Sequence, residues 1–171
     1  NGSVVIASST QVAAIGNVIG DSGPAAASYS ASASGSTTVQ IPLLMQDNVG
    51  YYTWFNVQNT GSSVATVSVA YTDGTSASAS IQPGAAHTFD QATETHTQAV
   101  FAATVTSDQP VAATVIEERN DAQAKLMFAY SGFTGAGSTD PVMPLINANN
   151  AGYKTGVQIQ NAGDQDTDVT V

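Results

Sequence analysis

The segment Pro42-Leu43-Leu44-Met45-Gln46-Asp47-Asn48-Val49-Gly50-Tyr51-Tyr52-Thr53-Trp54-Phe55-Asn56-Val57-Gln58-Asn59-Thr60-Gly61 governs how the chain is read, because much of it returns near the other end. Pro42, Leu43, Asn48, Gly50, Tyr51, Thr53, Gln58, Asn59 and Gly61 fall on Pro144, Leu145, Asn150, Gly152, Tyr153, Thr155, Gln160, Asn161 and Gly163, a constant offset of 102 without a gap. The match opens at Ile41 and continues through Val67 and Val69, which meet Val169 and Val171. Self-similarity at a fixed period marks a repeat architecture, so it is settled before any single element.

Earlier residues repeat as well. Ser8, Val12, Ala13 and Ala14 correspond to Ser107, Val111, Ala112 and Ala113; Tyr29 and Ser30 to Tyr130 and Ser131; Gly35, Ser36 and Thr37 to Gly137, Ser138 and Thr139. The offset widens from 99 through 101 to 102, which puts short insertions in the connections. Residues 1–40 then read as the C-terminal strands of a partial copy, 41–142 as one complete copy of about 102 residues, and 143–171 as the N-terminal strands of a further partial copy.

No stretch carries a helical period. Residues 2–8 and 11–19 predict two short strands, matched by 101–107 and 111–118, with Ser107-Asp108-Gln109-Pro110 as the joint between the latter pair. Pro42 has no backbone donor and predicts an edge position for the strand 39–45. Comparing the copies decodes two faces. Tyr51, Thr53, Phe55 and Val57 align with Tyr153, Thr155, Val157 and Ile159 and form a core row, whereas Tyr52, Trp54, Asn56 and Gln58 align with Lys154, Gly156, Gln158 and Gln160 and form a solvent row. By the same test Ala65, Val67, Val69 and Tyr71 point inward. Asp73-Gly74 and Pro83-Gly84 are turn dipeptides. About eight short strands per copy, broken by Gly, Pro and Asp turns, predict an all-β, antiparallel sandwich.

Thr53-Trp-Phe-Asn-Val-Gln-Asn-Thr-Gly-Ser-Ser-Val-Ala-Thr-Val-Ser-Val-Ala-Tyr71 resembles the immunoglobulin-like repeats of bacterial extracellular proteins, including the CARDB-like class, in which a Val-Gln-Asn-x-Gly corner joins two strands. Ile81-Gln82-Pro83-Gly84 and Thr106-Ser107-Asp108-Gln109-Pro110-Val111-Ala112-Ala113 are similar to that style of repeat. The resemblance implies an immunoglobulin-like sandwich in an extracellular or cell-surface setting. Such repeats serve as stalks, adhesion spacers or accessory modules.

Composition narrows the chemistry. Lys and Arg total 3 against 13 Asp and Glu, giving a net charge of −10, so neither nucleic acid nor an anionic membrane finds a basic footprint. No apolar run is long enough to insert into a bilayer. With no cysteine there is no disulfide frame, thiolate nucleophile or cysteine metal site. His87 and His96 stand apart from any second ligand or Gly-x-Ser-x-Gly elbow and read as loop or surface histidines. Adjacent Glu117 and Glu118 point to opposite faces of a strand, the wrong geometry for a carboxylate pair. No cofactor and no enzymatic activity are expected.

Two features ask for a ligand. Asp164, Asp166 and Asp168, spaced by two, would share one strand face and invite Ca²⁺, although a solvated acidic face fits the same spacing. Trp54, beside Tyr52 on the solvent row, suits stacking on a glycan or contact with another protein; a covering loop is the plain alternative.

The flanking pieces are each expected to leave an open edge and an uncovered apolar face, carried by Val4, Val5, Ile6 and Val12 on one side and Val157, Ile159, Val169 and Val171 on the other. Two arrangements would cover them: head-to-tail strand complementation between subunits, which makes self the main partner, or neighbouring repeats in a longer tandem array. The sequence therefore predicts a structural protein of a surface filament or stalk, with an adhesin-like glycan- or protein-binding module around Trp54 as the alternative.

Overall fold

The computed structural model describes residues 2–20, 25–122, 124–135 and 137–170. The chain is all-β: the described residues hold strands β1 (Ile15–Ile19), β2 (Ala26–Ser30), β3 (Ser36–Met45), β4 (Tyr51–Asn59), β5 (Ala65–Tyr71), β6 (Ser76–Ile81), β7 (Ala86–Asp90), β8 (Val100–Asn120), β9 (Lys125–Ser131), β10 (Phe133–Thr134), β11 (Ala148–Asn150) and β12 (Tyr153–Lys154), with no helix among them. Every pairing is antiparallel.

The organising element is β8, 21 residues long. Its first half lies between β3 and β5, with Val105 opposite both Val39 and Val69, and β6 extends this group from β5. Its second half lies between β4 and β9, with Val115 opposite Phe55 and Tyr130, and β7 extends this group from β4. The inward rows of both groups meet in one buried cluster that includes Val39, Ile41, Leu44, Phe55, Val67, Val105 and Val115. Phe55 and Phe89 stack within it, ring centroids 5.0 Å apart.

The expected joint at Ser107-Asp108-Gln109-Pro110 is not a loop; both flanking segments belong to β8. The residues that look like breakers are used as anchors. The Pro110 carbonyl accepts from the Thr60 N–H and hydroxyl, each at 2.9 Å, and the Asp108 carboxylate accepts the Thr66 N–H at 2.7 Å. The strand can therefore pass from one group to the other without stranding its polar backbone.

Alternation follows the expected faces. Thr53, Phe55 and Val57 are buried along β4, and β5 alternates strictly, with Ala65, Val67, Val69 and Tyr71 buried between exposed neighbours. Pro42 sits in an irregularity of β3, where the ladder to β8 steps from Ile41 opposite Ala103 to Leu44 opposite Phe101. β10 covers only Val39 and Gln40 on the other side. The neighbouring peptide groups are recovered by Tyr130, whose hydroxyl takes the Leu43 N–H (3.2 Å) and donates to the Leu43 carbonyl. Burial, above all, pushes that phenol well above its ordinary range.

Asn59 explains the Val-Gln-Asn-x-Gly corner. Its fully buried amide donates to the Ser63 and Ile81 carbonyls (2.7 and 2.9 Å) and accepts the Gly61 N–H (2.8 Å), closing the β4–β5 connection and tying it to the end of β6. Gly61 lets the chain pass close by: a Cβ there would come within 2.7 Å of Gln109 Oε1 and 3.1 Å of Pro110, so both side chains would have to shift.

Residues 2–14 form no strand, nor do residues 156–170, contrary to the expected strand at 2–8.

Candidate functional site: the faces between matched segments

Local geometry recurs at several matched positions, although residues 2–14 and 156–170 lack the strands of their counterparts. Thr53 Oγ1 accepts the Met45 N–H and Thr155 Oγ1 accepts the Asn147 N–H, both at 2.9 Å. Asn161 repeats the corner of Asn59, donating to the Gln165 carbonyl (2.8 Å) and accepting the Gly163 N–H (3.0 Å). Asp47, Val49 and Gly50 have φ of 52°, 54° and 82°, and Asn149, Ala151 and Gly152 have 64°, 50° and 86°. The offset is 102 in every case. The β1–β2 and β8–β9 hairpins also share a register: Ile15 and Gly16 face Ser30 and Tyr29, as Thr114 and Val115 face Ser131 and Tyr130.

The outer segments lie on the central one where β2 meets β9, with Ser131 Oγ donating to the Ser30 carbonyl (3.2 Å), and at two glutamines. On the N-terminal side, Ser3 Oγ donates to the Gly84 carbonyl (2.6 Å), while the Gln58 amide donates to the Val4 carbonyl (3.4 Å) and to that of Gly84 (3.2 Å). On the C-terminal side, Gln160 Nε2 approaches Gln40 Oε1 (2.9 Å), the Ala103 carbonyl (3.1 Å) and Thr104 Oγ1 (3.4 Å). Gln40 and Thr104 are bonded to each other at 2.8 Å, and Gln40 is only 8% exposed. Gln58 and Gln160 belong to the row expected to face solvent; both are half-buried instead, because each meets a neighbouring segment.

Next to the second contact lies an open groove of about 310 Å³, bordered by Leu43, Tyr51, Glu117, Phe128 and Gln158. Burial raises the Glu117 carboxyl above its ordinary value. Glu117 and Glu118 face Thr53 and Tyr52, on opposite faces of β8, as their adjacency required.

The expected self-assembly residues divide by exposure. Val4, Val5, Ile6 and Val12 are exposed, as are Ile159 and Val169; Val157 is half-buried, and Val171 lies outside the described residues. Tyr52 and Trp54 do not form an open aromatic platform, since both are half-buried. Trp54 is opposite Asp90 on β7 and Ile116 on β8, and Ile116, lying outside the main cluster, is 1% exposed. Burial, followed by the Asp47 carboxylate, raises the Tyr52 phenol.

Asp164, Asp166 and Asp168 are exposed in a segment with no strand to align them. Among the described residues no group of three His, Cys, Asp or Glu is arranged to hold a metal.

One cluster escaped sequence reasoning. His87 is an exposed strand histidine, but the His96 side chain is fully buried, stacked 4.1 Å from Phe101 and edge-on to Tyr71 at 4.8 Å. Its Nδ1 lies 3.1 Å from both Asp73 Oδ2 and Thr75 Oγ1. Thr75 spends its hydroxyl proton on Asp73 Oδ1 (2.6 Å), so toward His96 it can only accept, and Nδ1 must carry the hydrogen. Both neighbours thus sit on the same ring nitrogen. A nucleophile–histidine–carboxylate relay needs them on opposite nitrogens, and here Nε2 has only Glu94 Oε2, 3.8 Å away. Burial would raise the Asp73 carboxyl, but hydrogen bonds from Thr75, Thr97 and His96 outweigh it and hold it well below the carboxylate range. The cluster ties the loop 91–97 to the Asp73-Gly74 turn, helped by Gln46, which donates to the Gln91 and Glu94 carbonyls at 2.6 Å each. The only local signal was an Asp-Gly turn followed by Thr75, with its histidine some twenty residues later.

No protein-family model matches the chain, and neither does any curated protein. A crystal structure from Thermotoga maritima, that of Thermotoga maritima 1070, is similar with a TM-score of 0.53 at 13% identity, over 61% of this chain and 98% of its own. At that identity the likeness concerns the fold alone, and 61% of 171 residues is about 104, close to the spacing between matched segments.

Proposed function

We propose that the chain is part of an extracellular structural array, a surface filament or stalk built from antiparallel immunoglobulin-like β-sandwich modules about 102 residues apart. The observation that carries this reading is the recurrence at one offset of a threonine bridge, an asparagine corner and a run of left-handed backbone. Random similarity in a Ser-, Ala- and Gly-rich chain would not reproduce the same atoms in the same bonds. A similar solved chain of about one module in length supports the same unit. The two groups of strands joined through β8, with one shared core, fit a sandwich of two sheets.

In this reading the segments that expose Val4, Val5 and Ile6 and that expose Ile159 and Val169 are strands awaiting partners, supplied by the next module in the same chain or in another. The glycan- or protein-binding alternative loses its main support, because Trp54 is half-buried beside Ile116. Sedimentation over a wide concentration range, with electron microscopy, tests the proposal. Linear head-to-tail association, capped by an excess of a peptide spanning 143–170, is expected; a monomer at every concentration would overturn strand complementation.

A further inference from the structure

The two glutamine contacts between outer and central segments are one contact seen twice. The offset of 102 that carries Gln58 onto Gln160 and the offset of 99 that carries Ser8 onto Ser107 also carry Val4 onto Ala103. In the first place the Gln58 amide donates to the Val4 carbonyl, and in the second the Gln160 amide donates to the Ala103 carbonyl. The donor is the equivalent side chain and the acceptor the equivalent peptide group, although the flanking sequences differ: Val4-Val5-Ile6 against Ala103-Thr104-Val105.

We propose that this glutamine is a clasp between consecutive modules, fixing the orientation of each on its predecessor, so that the array is a stiff rod of constant twist and not beads on a flexible string. The inference rests on the repeat reading above and adds to it the partner, a second copy of the same module, and the surface, the outward row of β4 against the outward side of β3 and the first half of β8. Val39 and Ile41 point into the core, so Gln40 between them lies on the outside; Thr104, between buried Ala103 and Val105, does the same. These two are where Gln160 arrives, and Gln40 is covered to 8% exposure.

The chemistry suits a joint in a strongly acidic protein. Every group in the clasp is neutral, so a net charge of −10 per chain sets up no repulsion inside it and salt does not screen it. The acceptor is backbone, which any residue offers, so the strand beneath can vary in sequence while the joint is kept. The short connection helps: β2 ends at Ser30 and β3 begins at Ser36, leaving little slack for one module to swing against the other.

Spin-label distance measurements test this on the chain as it stands. With no native cysteine, labels attach only where one is introduced. Pairs at Ser78 and Thr167, and at Ser78 and Ser9, all exposed, report the C-terminal and N-terminal joints in labelled chain diluted with unlabelled chain. One narrow distance is expected for each pair, unchanged by salt. Gln160→Ala, and Gln160→Glu, which removes the donor, should abolish the narrow distance at the C-terminal joint and leave the N-terminal one intact; Gln58→Ala should do the reverse. Neither side chain belongs to the buried cluster, and an unchanged unfolding temperature will separate a loosened joint from a damaged module. A broad distribution in the unsubstituted chain, or a narrow one that survives Gln160→Glu, would overturn the clasp. Chains that associate with broad distances would keep the proposed assembly and lose the clasp; chains with narrow, glutamine-dependent distances that never associate would lose strand complementation alone.

Discussion

Val49 has φ of 54° and is 75% exposed, an unusual setting for a β-branched residue, whose Cβ crowds the following carbonyl in the left-handed region. Since the side chain packs against little, its replacement loses little. Val49→Asn, which tolerates this conformation, should raise stability by about 1 kcal/mol, and in a chain of this size that is a rise in Tm of roughly 2–4 °C. Calorimetry would check it; a fall in Tm would mean that the side chain makes contacts in the folded state that offset its strain. Glu117 is a second site of mismatch. Its folded pKa is raised by burial, so the native state holds the proton more tightly than the unfolded chain. Its cost is absent below the unfolded value, about 4.3, and grows as pH rises through the raised folded value. Glu117→Gln should therefore be more stable than the parent at pH 7, with the gain vanishing near pH 4. Urea titrations at the two pH values measure the difference, and an equal effect at both would refute the assignment. At this scale the inward rows were legible, because two copies of β4 agree on where apolar side chains stand. His96 was not, because its partners Asp73 and Thr75 are distant in sequence and nothing local to the loop 91–97 announces a buried ring.

Among the elements β8 couples everything else. Val105 is fully buried and faces Val39 on one flank and Val69 on the other. Val105→Ala removes two methyl groups from a closed cluster and should cost about 2–3 kcal/mol. Because the same strand also carries β4 and β9, the loss should lower a single unfolding transition, with amide exchange in β3, β4 and β5 accelerating together. Two separated transitions would show that the strand groups fold independently. Turn dipeptides and alternation made most strand positions readable from sequence. The continuity of β8 was not readable, since Ser107-Asp108-Gln109-Pro110 has the composition of a loop; what overrides that composition is bonding from Thr60 and Thr66, residues more than forty positions away. Residues 2–8 err in the other direction. Their Val- and Ile-rich pattern predicts a strand, but a strand needs a partner, and the bonds these residues make to the central segment involve side chains: Ser3 Oγ donates to the Gly84 carbonyl, and the Gln58 amide donates to the Val4 carbonyl.

For the whole molecule, charge and assembly oppose each other. A net charge of −10 carried by few residues, Asp164, Asp166 and Asp168 in the C-terminal segment among them, sets up repulsion between chains that approach end to end, whereas the N-terminal segment proposed to meet it is uncharged through Ile19 but for the amino terminus. Association should therefore strengthen as ionic strength rises from about 0.01 M to 0.15 M, where the screening length shrinks from about 30 Å to 8 Å. Sedimentation at the two salts decides it, and weaker association at the higher salt would mean that ion pairs build the contact. The matched spacing could be read in the sequence, but the bonds from Gln58 and Gln160 to other segments could not, because both stand on a row that alternation alone reads as wet.

The length of β8 also bears on what happens when such an assembly is stretched. Were tension to act along β8, the ladders on both flanks of each half would share it, and their hydrogen bonds would have to give way together instead of peeling off one by one. A tether of this design would hold its extension up to a sharp yield point and then lengthen abruptly by one module, protecting whatever it anchors from brief tugs.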